Sequence, residues 1–238
     1  MSADRRKYLI LGLIILALIY GTRLLQGGGE GIASALAGLL KTLPGIILGL
    51  TVHEFGHALA SDRLGDPTPR RQGRLSLNPF HHIDPFGFAA LLLFRFGWGR
   101  PVEIDDRYYK KPRRDSFLVS VAGVLMNLVL AVILLALPVR LLLRQGAETG
   151  AGVLAEICLN AAYINIVLII FNLLPISPLD GFQALAALLD LRRQNWYWRF
   201  YQAGPLLLLV LVVSGAVDWI LQPGVAALFR FLWNLLVS

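Results

Sequence analysis

Two histidines flank a glutamate in the run His53-Glu54-Phe55-Gly56-His57. On a helix, residues four apart lie one turn apart on the same face, roughly 6 Å between their stems, so both imidazoles can reach one ion. Zn²⁺ is the ion this pattern takes. Glu54 falls about 100° round the helix, where it can take a proton from a water that attacks a carbonyl. The setting is unusual. Leu43-Pro44-Gly45-Ile46-Ile47-Leu48-Gly49-Leu50 precedes the motif, and no charge interrupts the run until Glu54. Ionisable side chains in an apolar span are costly, so three within five positions need a shared partner, which a metal supplies.

The rest of the chain must hold that helix in a bilayer. Of 238 residues, 56% are hydrophobic and only 16% charged, whereas a soluble domain carries about a quarter charged. Apolar runs long enough to span recur along the chain. The net charge of +7 sits in short segments between those runs, the positive-inside signature, which excludes a nucleic-acid patch. Cys158 is the only cysteine, so neither an internal disulfide nor a thiolate zinc cluster can form.

The expected fold class is an all-α polytopic membrane protein of about five to six transmembrane helices. A re-entrant loop or β-hairpin lies between the second and third. Span A, 7–25, reads as a retained signal anchor. Span B begins at Ile32 or Leu43, with Pro44 a start or kink, and ends at Leu64, with Gly65 a left-handed cap before Asp66-Pro67. Residues 85–98 are apolar but too short to cross, and glycines bracket them, hence the re-entrant reading. Spans C (117–143), D (153–174) and E (205–221) follow, and 225–237 reads as a short interfacial segment. The domain division is 1–42 (anchor and loop), 43–191 (metal-site core) and 192–238 (C-terminal transmembrane and interfacial helices). With a cytoplasmic N-terminus, segments 1–7, 61–115 and 190–200 hold seventeen of the 22 Lys and Arg residues. That bias places His57 near the cytoplasmic face of a multi-pass protein.

A third ligand must come from elsewhere. Ala60 and Arg63 stand where a metzincin has glycine and histidine. Glu103 lies in a basic loop, and Glu148 and Glu156 fall on the far side of the membrane. Asp180 follows span D on the near side, where Pro175 and Pro178 open the backbone, and it can also serve as a helix cap. Asp190 competes but lies further out.

Five motifs resemble the site-2 protease family of intramembrane metalloproteases. They are His53–His57, Asn78-Pro79-Phe80-His81-His82-Ile83-Asp84-Pro85, Gly97-Trp98-Gly99-Arg100-Pro101-Val102, Ala122-Gly123-Val124-Leu125-Met126-Asn127, and Phe171-Asn172-Leu173-Leu174-Pro175-Ile176-Ser177-Pro178-Leu179-Asp180-Gly181. The resemblance runs from about Leu43 to Leu189. It implies Asp180 as third zinc ligand, a bilayer-embedded site, and a transmembrane protein or peptide as substrate, most simply in a bacterial-type cell membrane. Val124 departs from the usual proline, and no insert between spans has the length of a PDZ or CBS domain.

The resemblance also turns Asn127 towards the site, where its amide could hold a substrate carbonyl, although a helix-packing amide is the plainer reading. His82 reads as a helper beside the metal or as a packed loop histidine. Gly97, Trp98, Pro101 and Val102 read as an edge that holds an unwound substrate extended, or as an ordinary hairpin. A membrane metal transporter and a non-catalytic zinc-bound adaptor are the alternative functions.

Overall fold

The computed structural model describes residues 32–88, 99–145 and 151–237. Span A, Gly97 and Trp98 lie outside the described residues. Every regular element among the described residues is helical: α1 (Ile32–Arg63), α2 (Thr68–Arg71), α3 (Pro112–Gln145), α4 (Ala151–Asn172), α5 (Asp180–Leu188), α6 (Tyr197–Val213) and α7 (Ala216–Val237), with three 3₁₀ turns.

Contacts divide the chain into two units, whose described parts are residues 32–40, 83–88 and 99–100 in one and 41–82, 101–145 and 151–237 in the other. In the first, Ile83 and Gly99 form an antiparallel bridge. Residues 85–88 are helical because Asp84 caps them, its Oδ1 accepting from the Gly87 amide at 2.8 Å, with Pro85 at the first helical position.

The second unit holds the motifs with chemistry. α1 runs unbroken through Pro44, so the helix begins upstream of the proline. It ends where the sequence expects. Gly65 has φ 112°, the Gly65 amide bonds the Asp62 carbonyl, and the Asp66 amide bonds the Ser61 carbonyl. This paired closure satisfies the last free carbonyls of the helix.

Among the described residues, three helices are long and apolar enough to cross a membrane, over Pro112–Pro138, Gly152–Asn172 and Ala216–Val237. α3 and α4 pack along each other, and α7 closes a core of Ala131, Leu135, Ala162, Ile166, Val217, Leu221 and Val225. The spacing of four within each helix is the stripe that faces a neighbour. A smaller cluster, Phe182, Ala186 and Tyr197, ties α5 to the start of α6.

The C-terminal boundary differs from the sequence expectation. The chain turns at Ser214 and Gly215, and Val225 to Val237 is the second half of a 22-residue helix, not a separate short segment. Gly215, at φ 75°, makes that corner, whereas Pro223 is absorbed inside α7.

Candidate metal centre

α1 brings His53 and His57 to one face, both buried. α5 brings Asp180 to them. Its start is fixed by contact: a Cβ on Gly181 would lie 2.2 Å from the Leu173 carbonyl oxygen, so only glycine lets α5 begin against the end of α4. Leu179, not Asp180, occupies the cap position, which frees the carboxylate. Asp180 Oδ2 then lies 3.1 Å from His53 Nε2 and 3.2 Å from His57 Nε2, and the two Nε2 atoms are 3.1 Å apart.

These atoms form a nearly equilateral triangle. A tetrahedral zinc with bonds near 2.0–2.1 Å sets its ligand atoms roughly 3.3 Å apart, so the triangle fits one face of that tetrahedron. Asp180 Oδ2 is buried and accepts no hydrogen bond, as a carboxylate aimed at a cation does. No fourth His, Cys, Asp or Glu joins the group among the described residues, which matches a site with an open position.

His57 Nδ1 lies 2.7 Å from the Val119 carbonyl of α3. A carbonyl only accepts, so Nδ1 carries the proton and Nε2 presents its lone pair to the metal position. One turn on, Gly123 packs on both rings. A Cβ there would sit 2.4 Å from His57 Nε2 and 2.8 Å from His53 Nδ1. A further turn on, Asn127 is fully buried with neither amide atom hydrogen-bonded, and His53 Nδ1 is likewise buried without a partner. Asn127 does not line the cavity at the metal position.

That cavity is about 600 Å³, of the size that holds a peptide-sized ligand. His53, Glu54, His57, Asp180, Pro101 and Val102 all line it. The Val102 amide donates to Glu54 Oε2 at 3.0 Å. Arg74, buried, donates to the His81 carbonyl and reaches the Pro101 carbonyl at 3.5 Å, so it steadies the segment that carries Val102. At the C-terminal end of α1, buried Asp66 accepts from Ser61 Oγ at 2.8 Å and from the Thr68 and Asp105 amides at 2.9 Å. Burial opposes the Asp66 charge, but the bonds from Thr68, Asp105 and Ser61 together outweigh it and hold the carboxyl below its usual range. Burial pushes the Tyr109 phenol up to about 12.

His82 is fully buried and does not line this cavity, and its Nε2 is bonded to the Ser76 carbonyl at 2.7 Å. Two residues that sequence reasoning named only as motif letters prove to be placed at the site. Gly123 touches the ligand rings, and Asn172 lines the cavity. Their signal was membership of the Ala122–Asn127 and Phe171–Gly181 motifs.

The chain is similar to a Bacillus subtilis protein named "Putative zinc metalloprotease YwhC", at 38% identity over 184 residues, 75% of this chain and 82% of that relative. Residues 136–214 match the model of peptidase family M50. The chain belongs to peptidase family M50. It is a zinc metalloendopeptidase of the site-2 protease type, a membrane protein with Zn²⁺ as its metal. Rip2 proteins bearing the same description match at 31% identity in Mycolicibacterium smegmatis and 33% in Mycobacterium tuberculosis. They are covered over 69% and 70% of their lengths, and 75% and 76% of this chain takes part. No solved structure matches the chain. The M50 match includes Asp180 but begins after the histidine pair, so the triangle of His53, His57 and Asp180, which could hold a metal ion, is seen in the geometry.

Proposed function

We propose that this M50 protein hydrolyses peptide bonds in or near the transmembrane segments of membrane-protein substrates. The observation that carries this reading is the position of Glu54, which lines the same cavity as the His53–His57–Asp180 triangle and follows an uncharged run, residues 42–52, of α1. Zn²⁺ held by His53, His57 and Asp180 would act as a Lewis acid on the scissile carbonyl and make a neighbouring water acidic. Glu54 accepts the proton of that water and returns it to the leaving amine. The Val102 amide occupies Oε2, which leaves Oε1 to carry the proton. Clustering of the ligands at one depth, beside a base, favours hydrolysis over metal transport, where ligands would be spaced along a path.

A helical substrate hides its peptide bonds, so it must be drawn out before it is cut. Residues 100–105 form neither helix nor strand, Asp105 has an extended backbone, and Pro101 and Val102 border the cavity. In this reading Gly97, Trp98, Pro101 and Val102 belong to a re-entrant edge that pairs with the unwound substrate strand. The protein is multi-pass, with a cytoplasmic N-terminus and the site near the cytoplasmic face, as the Lys and Arg distribution supports.

Asn127 would act on a substrate carbonyl, as the resemblance implies, or through His53. It follows Val119 and Gly123 at successive turns of the α3 face that meets the histidine rings; its amide and His53 Nδ1 are both buried without a hydrogen-bond partner, and in this reading the amide oxygen would take the His53 Nδ1 proton. His82 ties its own loop to Ser76.

The test is Glu54→Gln. The variant should hold one zinc per chain yet leave a single-span reporter protein uncut in proteoliposomes. Undiminished cleavage would remove Glu54 from the mechanism.

A further inference from the structure

A second cavity, about 410 Å³, opens between α4 and α7 and is lined by Leu159, Asn160, Tyr163, Phe229, Arg230 and Trp233. The metalloprotease chemistry uses none of them. Arg230 is exposed on a helix long and apolar enough to cross a membrane. It stands seven residues from Val237, about 10 Å along the axis at 1.5 Å per residue. Its Nε donates to the Ala226 carbonyl at 3.1 Å, so the side chain turns back along the helix, away from the nearer end. A guanidinium that merely sought water would extend the other way.

No carboxylate pairs with Arg230 among the described residues. Glu156 of α4 is bound to Lys41 at 2.8 Å, and Asp218 lies twelve residues earlier on α7, more than three turns away. An intramembrane arginine is costly until it finds a partner. Around it, Tyr163 meets Phe229 edge-on at 6.5 Å, and Phe229 stacks on Trp233 at 6.1 Å, an apolar wall beside the charge.

We propose that this cavity is a lateral docking site for a carboxylate carried within the transmembrane helix of a partner protein. The carboxylate meets Arg230, with the Asn160 amide and the Tyr163 hydroxyl as further donors, and the partner's apolar helix lies against Phe229 and Trp233. A lipid phosphate shares the charge but belongs at the interface, and the inward turn of Arg230 favours the helix. The site is separate from the metal centre, and the proposal does not depend on which peptide bond is cut.

The experiment places full-length Glu54→Gln protein, which leaves the probe intact, in zwitterionic nanodiscs. The probe is a labelled leucine-alanine single-span peptide with one central Glu, compared with its Gln twin by fluorescence transfer. An interhelical polar contact in a membrane is worth about 1–2 kcal/mol, so the Glu peptide should bind about tenfold tighter. Added Arg230→Met should erase the preference, and Arg230→Lys should keep part of it. Equal binding of the two peptides, or a preference that survives Arg230→Met, overturns the proposal. Retention of phosphatidylglycerol that depends on Arg230, seen by native mass spectrometry without peptide discrimination, assigns the site to lipid and also overturns it.

Discussion

The Val102 amide and the Glu54 carboxylate are joined at 3.0 Å, although 48 residues separate them. The general base of the proposed reaction is therefore oriented by the backbone of the segment proposed to receive substrate. Replacing Val102 with proline deletes the donor. A hydrogen bond to a charged group is worth about 1.5–3 kcal/mol, so kcat/KM should fall roughly ten- to hundredfold. Zinc content should not change, and Val102→Ala, which keeps the amide, should stay near wild type. Steady-state cleavage of a reporter span, with zinc measured by mass spectrometry, checks both.

Gly123→Ala should empty the metal site without unfolding the helices. The added methyl would stand 2.4 Å from His57 Nε2, inside any tolerable contact, and the rings must swing off the triangle. Disturbance of groups that orient metal ligands costs about 10–100-fold in affinity, and direct displacement of the rings should reach at least that. Zinc titration against a competing chelator reads the loss, with circular dichroism as the folding control.

Asn127→Ala should weaken zinc about tenfold if the amide holds the His53 proton. The visible spectrum of the cobalt-substituted protein should shift with it, because the His53 ring loses its fixed orientation. An unchanged spectrum and affinity would return Asn127 to simple helix packing.

Asp66 gives the link between α1 and residues 99–110 a defined pH window. Its carboxyl is held below the ordinary 3.8, so its stabilisation is complete above that value and is lost as the pH falls through the depressed folded value. Hydrogen exchange of residues 99–110 should be steady from neutral pH to about 5 and rise in stronger acid. Asp66→Ala should reproduce the loosened state at neutral pH, at a cost of about 2 kcal/mol or more, because buried donors are left unmet. At the other extreme, the Tyr109 phenol bonds Ser61 at 2.7 Å, and its raised value means its contribution holds below 10 and is lost as the pH climbs towards 12.

Local chemistry made much of this protein legible before any fold was known. Histidines four apart share a helix face, Gly65 follows the last turn of α1, and apolar runs between basic segments read as spans. Each depends only on neighbours within a few residues, which spacing and residue type encode. The carboxylate at Asp180 was reachable because the expected topology leaves few acids on the side assigned to the histidine pair, and the resemblance agreed.

The tertiary structure decided what distance in the chain hides. That Gly123 presses on His57, that Val102 holds Glu54, and that Asn172 rather than Asn127 borders the cavity are consequences of how α1, α3 and α4 approach. The turn at Gly215 instead of near Pro223 has the same origin, since Val217, Leu221 and Val225 must stay on one helix to bury together. Periodicity names the face a helix can bury. Only packing chooses which residue of the neighbour meets it, and at the metal centre that choice separates a ligand from a bystander.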